Sequence, residues 1–120
     1  MKLRKLQKEF KKKGIKYTQL LKKVKEYVNE SGEVTKDGIV IYKCLNFEYN
    51  DEYFEVFRYR IAKPHPNDTN GWDMVELYPS DEVFGVFAWS CSNVNSLRRM
   101  VEKHFEDEYV AEIEKLFVNY

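Results

Sequence analysis

The chain has 120 residues, 43% of them hydrophobic, with nine Tyr, eight Phe and two Trp; this is the size of one domain, with aromatic material for a core that needs no disulfide staples. The formal net charge of zero is a cancellation, because eleven Lys or Arg and a single acid, Glu9, fall in the first twenty-five residues, while nine bases face nineteen acids in the remainder. Two cysteines, Cys44 and Cys91, with no C-x-x-C pair exclude a disulfide framework.

Met1 to Arg4 has the charge of a signal-peptide start, but Lys5, Lys8 and Lys11 interrupt any apolar run behind it. The longest apolar stretch, Val83 to Trp89, has seven residues, far short of a membrane span. A cytoplasmic protein with reduced thiols and no membrane partner is the expectation.

In chain order, Leu3, Leu6 and Phe10 fall within about 60° of one another at 100° per residue, which predicts a first helix with a narrow apolar stripe. Lys13-Gly14-Ile15 fits a helix C-terminus with a left-handed Gly. Thr18 can cap a second helix carrying Leu20, Leu21, Val24, Tyr27 and Val28 on one face, with Gly32 as its stop. From Gly38 the period shifts toward two, and four strands are predicted: Ile39 to Asn46, Tyr53 to Ala62, Trp72 to Tyr78 and Phe84 to Ser90.

Short turn-like connections around Asn50-Asp51 and Pro79-Ser80-Asp81-Glu82 favour an antiparallel meander. The connection from Lys63 to Gly71 is longer, polar and proline-stiffened, a surface loop. After the caps Ser92 and Asn93, Val94, Leu97, Val101 and Phe105 align on a helix; Tyr109, Ile113, Leu116, Phe117 and Tyr120 align on a stripe rotated by roughly 130°. A break near Glu106-Asp107, with Asp107 as the second cap, resolves the mismatch. The expected fold is one α+β domain over 1–120: a basic helical pair over 1–31, a four-stranded, mainly antiparallel meander over 38–91, and two helices over 93–120.

The basic N-terminal segment carries the main functional expectation. Lys5, Lys8, Lys11, Lys12, Lys13, Lys16, Lys22 and Lys23 on paired helices would contact phosphates of a nucleic acid or nucleoprotein. Few side chains there read bases, so the contact is electrostatic rather than sequence-specific. The bland alternatives are a solvated charged face, or docking on the acidic C-terminal helix that bears Glu102, Glu106, Asp107, Glu108, Glu112 and Glu114. A different partner, an acidic protein surface or a second copy of the chain, would use the same lysines.

Phe54, Val56, Arg58, Arg60 and Ala62 alternate with Tyr53, Phe57, Tyr59 and Ile61, a pattern that could stack bases but more often packs a core. His65 between two prolines, with Asp68 nearby, is the one polar constellation in a candidate loop, and two such residues make no zinc site. No reaction, metal or cofactor motif is present. The sequence therefore reads as a small non-enzymatic binding or regulatory protein, such as a phage or mobile-element accessory or inhibitor, with no cofactor; a small enzyme using His65 is the third reading.

Overall fold

The basic N-terminal segment forms strands, not a helical pair, in a computed structural model that describes residues 2–118. Strand β1 is Leu3–Arg4, β2 is Glu9–Lys12 and β3 is Ile15–Val28. The turn between β2 and β3 corrects the helical expectation directly: Lys13 and Gly14 both have positive φ (52° and 77°), and Lys12 pairs with Ile15 across them. That is a two-residue hairpin turn whose backbone twist matches the strands it joins. A Gly that would end a helix in the left-handed region serves a primed hairpin turn for the same conformational reason.

The second predicted helix fails because of a β-bulge. Gln19 pairs with Tyr42 and Leu21 with Ile41, so Leu20 is an extra residue in β3. A bulge shifts the alternation by one, and the sequence Leu20, Leu21, Val24 then imitates a period near 3.6. In the structure these residues serve two different cores: Leu20 and Leu21 pack toward the C-terminal helices, and Val24 packs on the opposite face of the sheet.

β3 runs antiparallel to β4 (Val34–Asn46), β4 to β5 (Asp51–Arg58), and β5 directly to β8 (Ala88–Cys91). The main sheet therefore has five strands in the order β2-β3-β4-β5-β8, not four in a meander. The predicted strand around Trp72 to Tyr78 leaves that sheet altogether. Its core, β7 (Met74–Glu76), joins a small second sheet between β1, which it pairs in parallel, and β6 (Ile61–Ala62), which it pairs in antiparallel fashion. Gly38 marks a close approach of β4 to β3, since a Cβ there would collide with the Lys23 carbonyl oxygen.

Both faces of the main sheet bury side chains, and β4 records it: Ile39, Val40, Ile41 and Tyr42 are all fully buried. Burying each such side chain contributes roughly 1.5–3 kcal/mol. On one face Ile41, Phe54, Val56 and Trp89 meet Leu97 and Val101 of helix α1 (Val94–His104) and Tyr109 and Ile113 of helix α2 (Asp107–Leu116). The Asn93 side chain caps α1 by accepting from the Ser96 N–H at 2.8 Å.

The chain breaks at Phe105 and Glu106, both extended, and Glu106 stands at the α2 N-cap with Asp107 as first helical residue, so Asp107 is not the cap. Tyr120 lies outside the described residues. On the other face Val40, Tyr42, Phe57 and Tyr59 are covered by Leu6, the small sheet's Ile61 and the segment bearing Tyr78, Val83 and Phe84.

Candidate functional site

The lysines divide into two groups once strands replace helices. Lys22 reaches the buried carboxylate of Glu76 at 3.0 Å, Lys16 pairs with Glu9 at 2.7 Å, and Lys23 lies 3.4 Å from Glu112. Lys25 pairs with Glu108. The far half of β3 is thus docked on acidic helix α2, as one of the bland readings supposed. By contrast Lys5, Lys8, Lys11, Lys12 and Lys13 are exposed and have no carboxylate at ion-pair distance among the described residues. Lys11 lies over the Phe47 ring at 5.5 Å. These five ammoniums lie on β2, its hairpin turn and the chain leading into it, and β2 is an edge strand. Charge on an edge also discourages strand addition by another chain.

Strand alternation puts Phe10 and Lys12 on the face opposite the helices, beside Tyr17 of β3. There the sheet is left partly uncovered, and a cavity of about 640 Å³ opens. Phe10, Lys12 and Lys13 form one wall; Tyr17, Tyr53 and Glu55 supply the sheet surface; Tyr78, Asp81 and Phe84 come from the segment that crosses over the sheet. The rings brace one another: Phe10 stacks on Tyr17 at 4.5 Å, and Tyr78 meets Phe10, Tyr17, Tyr42 and Phe57 edge-on at 5.0–5.6 Å. Such edge-to-face pairs hold ring positions beyond what burial alone does.

Glu55 is the chemically distinctive residue. It is only 8% exposed, and its Oε1 accepts from the Tyr78 hydroxyl at 2.9 Å and the Cys44 thiol at 3.5 Å. Its Oε2 has no hydrogen-bond partner among the described residues. Burial pushes its carboxyl above the ordinary value of 4.5, and the Asp81 charge adds to that, while the bonds from Tyr78 and Cys44 oppose it. Burial, then the neighbouring Glu55 charge, also drives the Tyr78 hydroxyl and the Cys44 thiol upward, so both stay protonated and act as donors. Cys91 is pushed up to about 11 by burial. Both cysteines are free and buried, they face opposite sides of the sheet, and as neutral thiols they are poor nucleophiles.

The loop constellation resolves into a turn. His65 is exposed, and its Nδ1 accepts from the Asn67 N–H at 3.1 Å. Asp68 accepts from the Asn70 N–H and side-chain amide at 2.9 Å each and pairs with Arg4 at 3.7 Å. His104 stacks on Trp89 at 4.2 Å. Among the described residues no cluster of His, Cys, Asp and Glu could hold a metal ion, and no helix is long and apolar enough to cross a membrane.

The alternating residues of β5 are core: Phe54, Val56 and Phe57 are buried. Arg58 sits against Asp37 at 3.4 Å and over the Phe105 ring at 4.7 Å. Sequence reading missed Glu55 and its tyrosines. The signal for them is the alternation itself, which places a lone carboxylate on the same strand face as Tyr53, Phe57 and Tyr59, and buried acids need a reason. Comparison with family models, with curated proteins and with solved structures finds no match to this chain.

Proposed function

We propose that the protein is a small binding protein that holds a nucleic-acid strand along the lysine-bearing edge of its main sheet. What supports this reading is the division of the lysines. Lys16, Lys22, Lys23 and Lys25 are each paired with a carboxylate, whereas Lys5, Lys8, Lys11, Lys12 and Lys13, on β2 and the chain on either side of it, have none at ion-pair distance among the described residues. A cluster of unneutralised ammoniums attracts a polyanion, and each phosphate it binds releases condensed counterions. Because the cluster is all Lys, it acts as a set of point charges, and binding through it follows charge rather than base sequence.

The test is a salt titration of oligonucleotide binding by fluorescence anisotropy, with the wild type and a variant carrying Lys8→Gln, Lys11→Gln, Lys12→Gln and Lys13→Gln. The expected result is weaker binding by the variant and a log-log salt slope flatter by roughly 0.7–0.9 for each lost phosphate contact. The paired lysines serve as the control: Lys23→Gln with Lys25→Gln leaves the slope unchanged. Absence of wild-type binding at low salt, or an equal loss in the control, overturns the reading.

A further inference from the structure

The cavity beside the Lys13-Gly14 turn has a chemistry that the lysine edge alone does not need. It combines three things. Tyr17 and Tyr53 present aromatic surface on its sheet side; a nine-tenths buried acid, Glu55, contributes a carboxyl oxygen with no protein partner among the described residues; and Lys12 and Lys13 bring two ammoniums to one wall. At about 640 Å³ it lies within the roughly 300–1,000 Å³ of small-molecule sites. A ligand that satisfies all three groups has a planar ring, a hydrogen-bonding ring edge and an attached anion. Phe10 and Lys12 of its wall belong to the edge strand β2, and Lys13 to the turn that follows it.

We infer that this cavity seats one unpaired nucleotide of a single strand, with the base among the tyrosines, the base edge bonded to Glu55 Oε2, and the phosphate held by Lys12 and Lys13. The inference rests on the nucleic-acid reading of the lysine edge and adds a site to it. It makes the protein a binder of single-stranded ends or splayed-out bases, since a base paired inside a duplex cannot enter a pocket. Asp81, which also lines the cavity, disfavours an anion beside it by like-charge repulsion.

The discriminating probe is a pair of short single strands of equal length, one bearing bases and one abasic throughout. Both carry the same phosphates, so the lysine edge treats them alike, whereas the pocket does not. The base-bearing strand should bind roughly five- to 150-fold more tightly, the scale of one stacked base. Tyr53→Ala and Glu55→Ala should each shrink that ratio while leaving abasic-strand affinity and its salt slope unchanged. Tyr53→Phe, which keeps the ring, should preserve the ratio, and circular dichroism identifies any variant that fails to fold.

Equal affinity of the wild type for the two strands, with the salt slope intact, overturns the pocket and leaves the lysine edge standing. If neither strand binds at low salt the lysine edge falls, and mononucleotides decide the pocket alone. Saturable binding of a nucleoside monophosphate, stronger than that of inorganic phosphate and lost in Glu55→Ala, supports it, and no such binding overturns it.

Discussion

Glu76 and Glu55 are both buried carboxylates, 5% and 8% exposed, and the protein treats them in opposite ways. Glu76 is saturated: its oxygens accept from the Tyr59 hydroxyl at 2.6 Å, the Leu6 N–H at 2.8 Å and the Lys22 ammonium at 3.0 and 3.2 Å. Burial alone would raise its carboxyl, but these three donors outweigh burial and hold it below the usual value. The donors come from the N-terminal segment, from β3 and from the residue that follows β5, so Glu76 of β7 fastens the small sheet to the large one. Glu55 receives two neutral donors on one oxygen and none on the other, and burial prevails. A carboxylate with every lone pair occupied is structure; one with an oxygen left over beside a cavity is available for a ligand.

The largest effect that would sharpen this contrast is expected from Glu76→Ala. It strands the Lys22 charge, the Tyr59 hydroxyl and the Leu6 N–H together, and breaking a buried pair by removing one partner costs about 3–5 kcal/mol. Urea denaturation should register that loss, and a cost below about 1 kcal/mol would mean that Glu76 is no fastener. A smaller, matched comparison removes one hydroxyl from each acid. Tyr59→Phe deletes a bond to the carboxylate that also holds the Lys22 ammonium and is kept low, worth roughly 1.5–3 kcal/mol, whereas Tyr78→Phe deletes one to a carboxyl that burial pushes upward, where the loss should be the smaller of the two, roughly 0.5–1.5 kcal/mol. Equal losses in the two variants at neutral pH would erase the distinction drawn between the sites.

How much of this was legible in the sequence follows from which signals are local. Both C-terminal helices and the break between them could be read because each stripe is set by its own i, i+3, i+4 spacing, and Asn93 supplies a local cap. The N-terminal hairpin could not be read that way. Its Lys13-Gly14 turn and its bulge at Leu20 imitate a helix stop and a helical stripe, and only pairing with β4 decides between them. Partner choice between strands distant in sequence is likewise nonlocal: nothing within Met74–Glu76 says that it leaves the main sheet to pair with Leu3–Arg4. The lysines of the candidate site could be counted from the sequence. Which of them are neutralised depends on Glu76, Glu108 and Glu112, which the fold alone brings near.

The smallest expected change is the most specific, because it has the opposite sign from the others. Glu55→Gln keeps an oxygen to accept from Tyr78 and Cys44 and removes the charge. With its folded-state carboxyl raised above 4.5, Glu55 contributes stability that is fully present below that unfolded value and is lost as pH rises through the raised one. Glu76, held low, contributes stability that is present above 4.5 and is lost as pH falls through its lowered value. Glu55→Gln should therefore match the wild type in acid and exceed it at higher pH, by on the order of 1 kcal/mol, the desolvation scale of an incompletely bonded buried group. Unfolding free energies measured between about pH 4 and 8 test this directly. A variant less stable than wild type across that whole range would show that the Glu55 carboxylate is as well satisfied as that of Glu76, with no oxygen left over for a ligand.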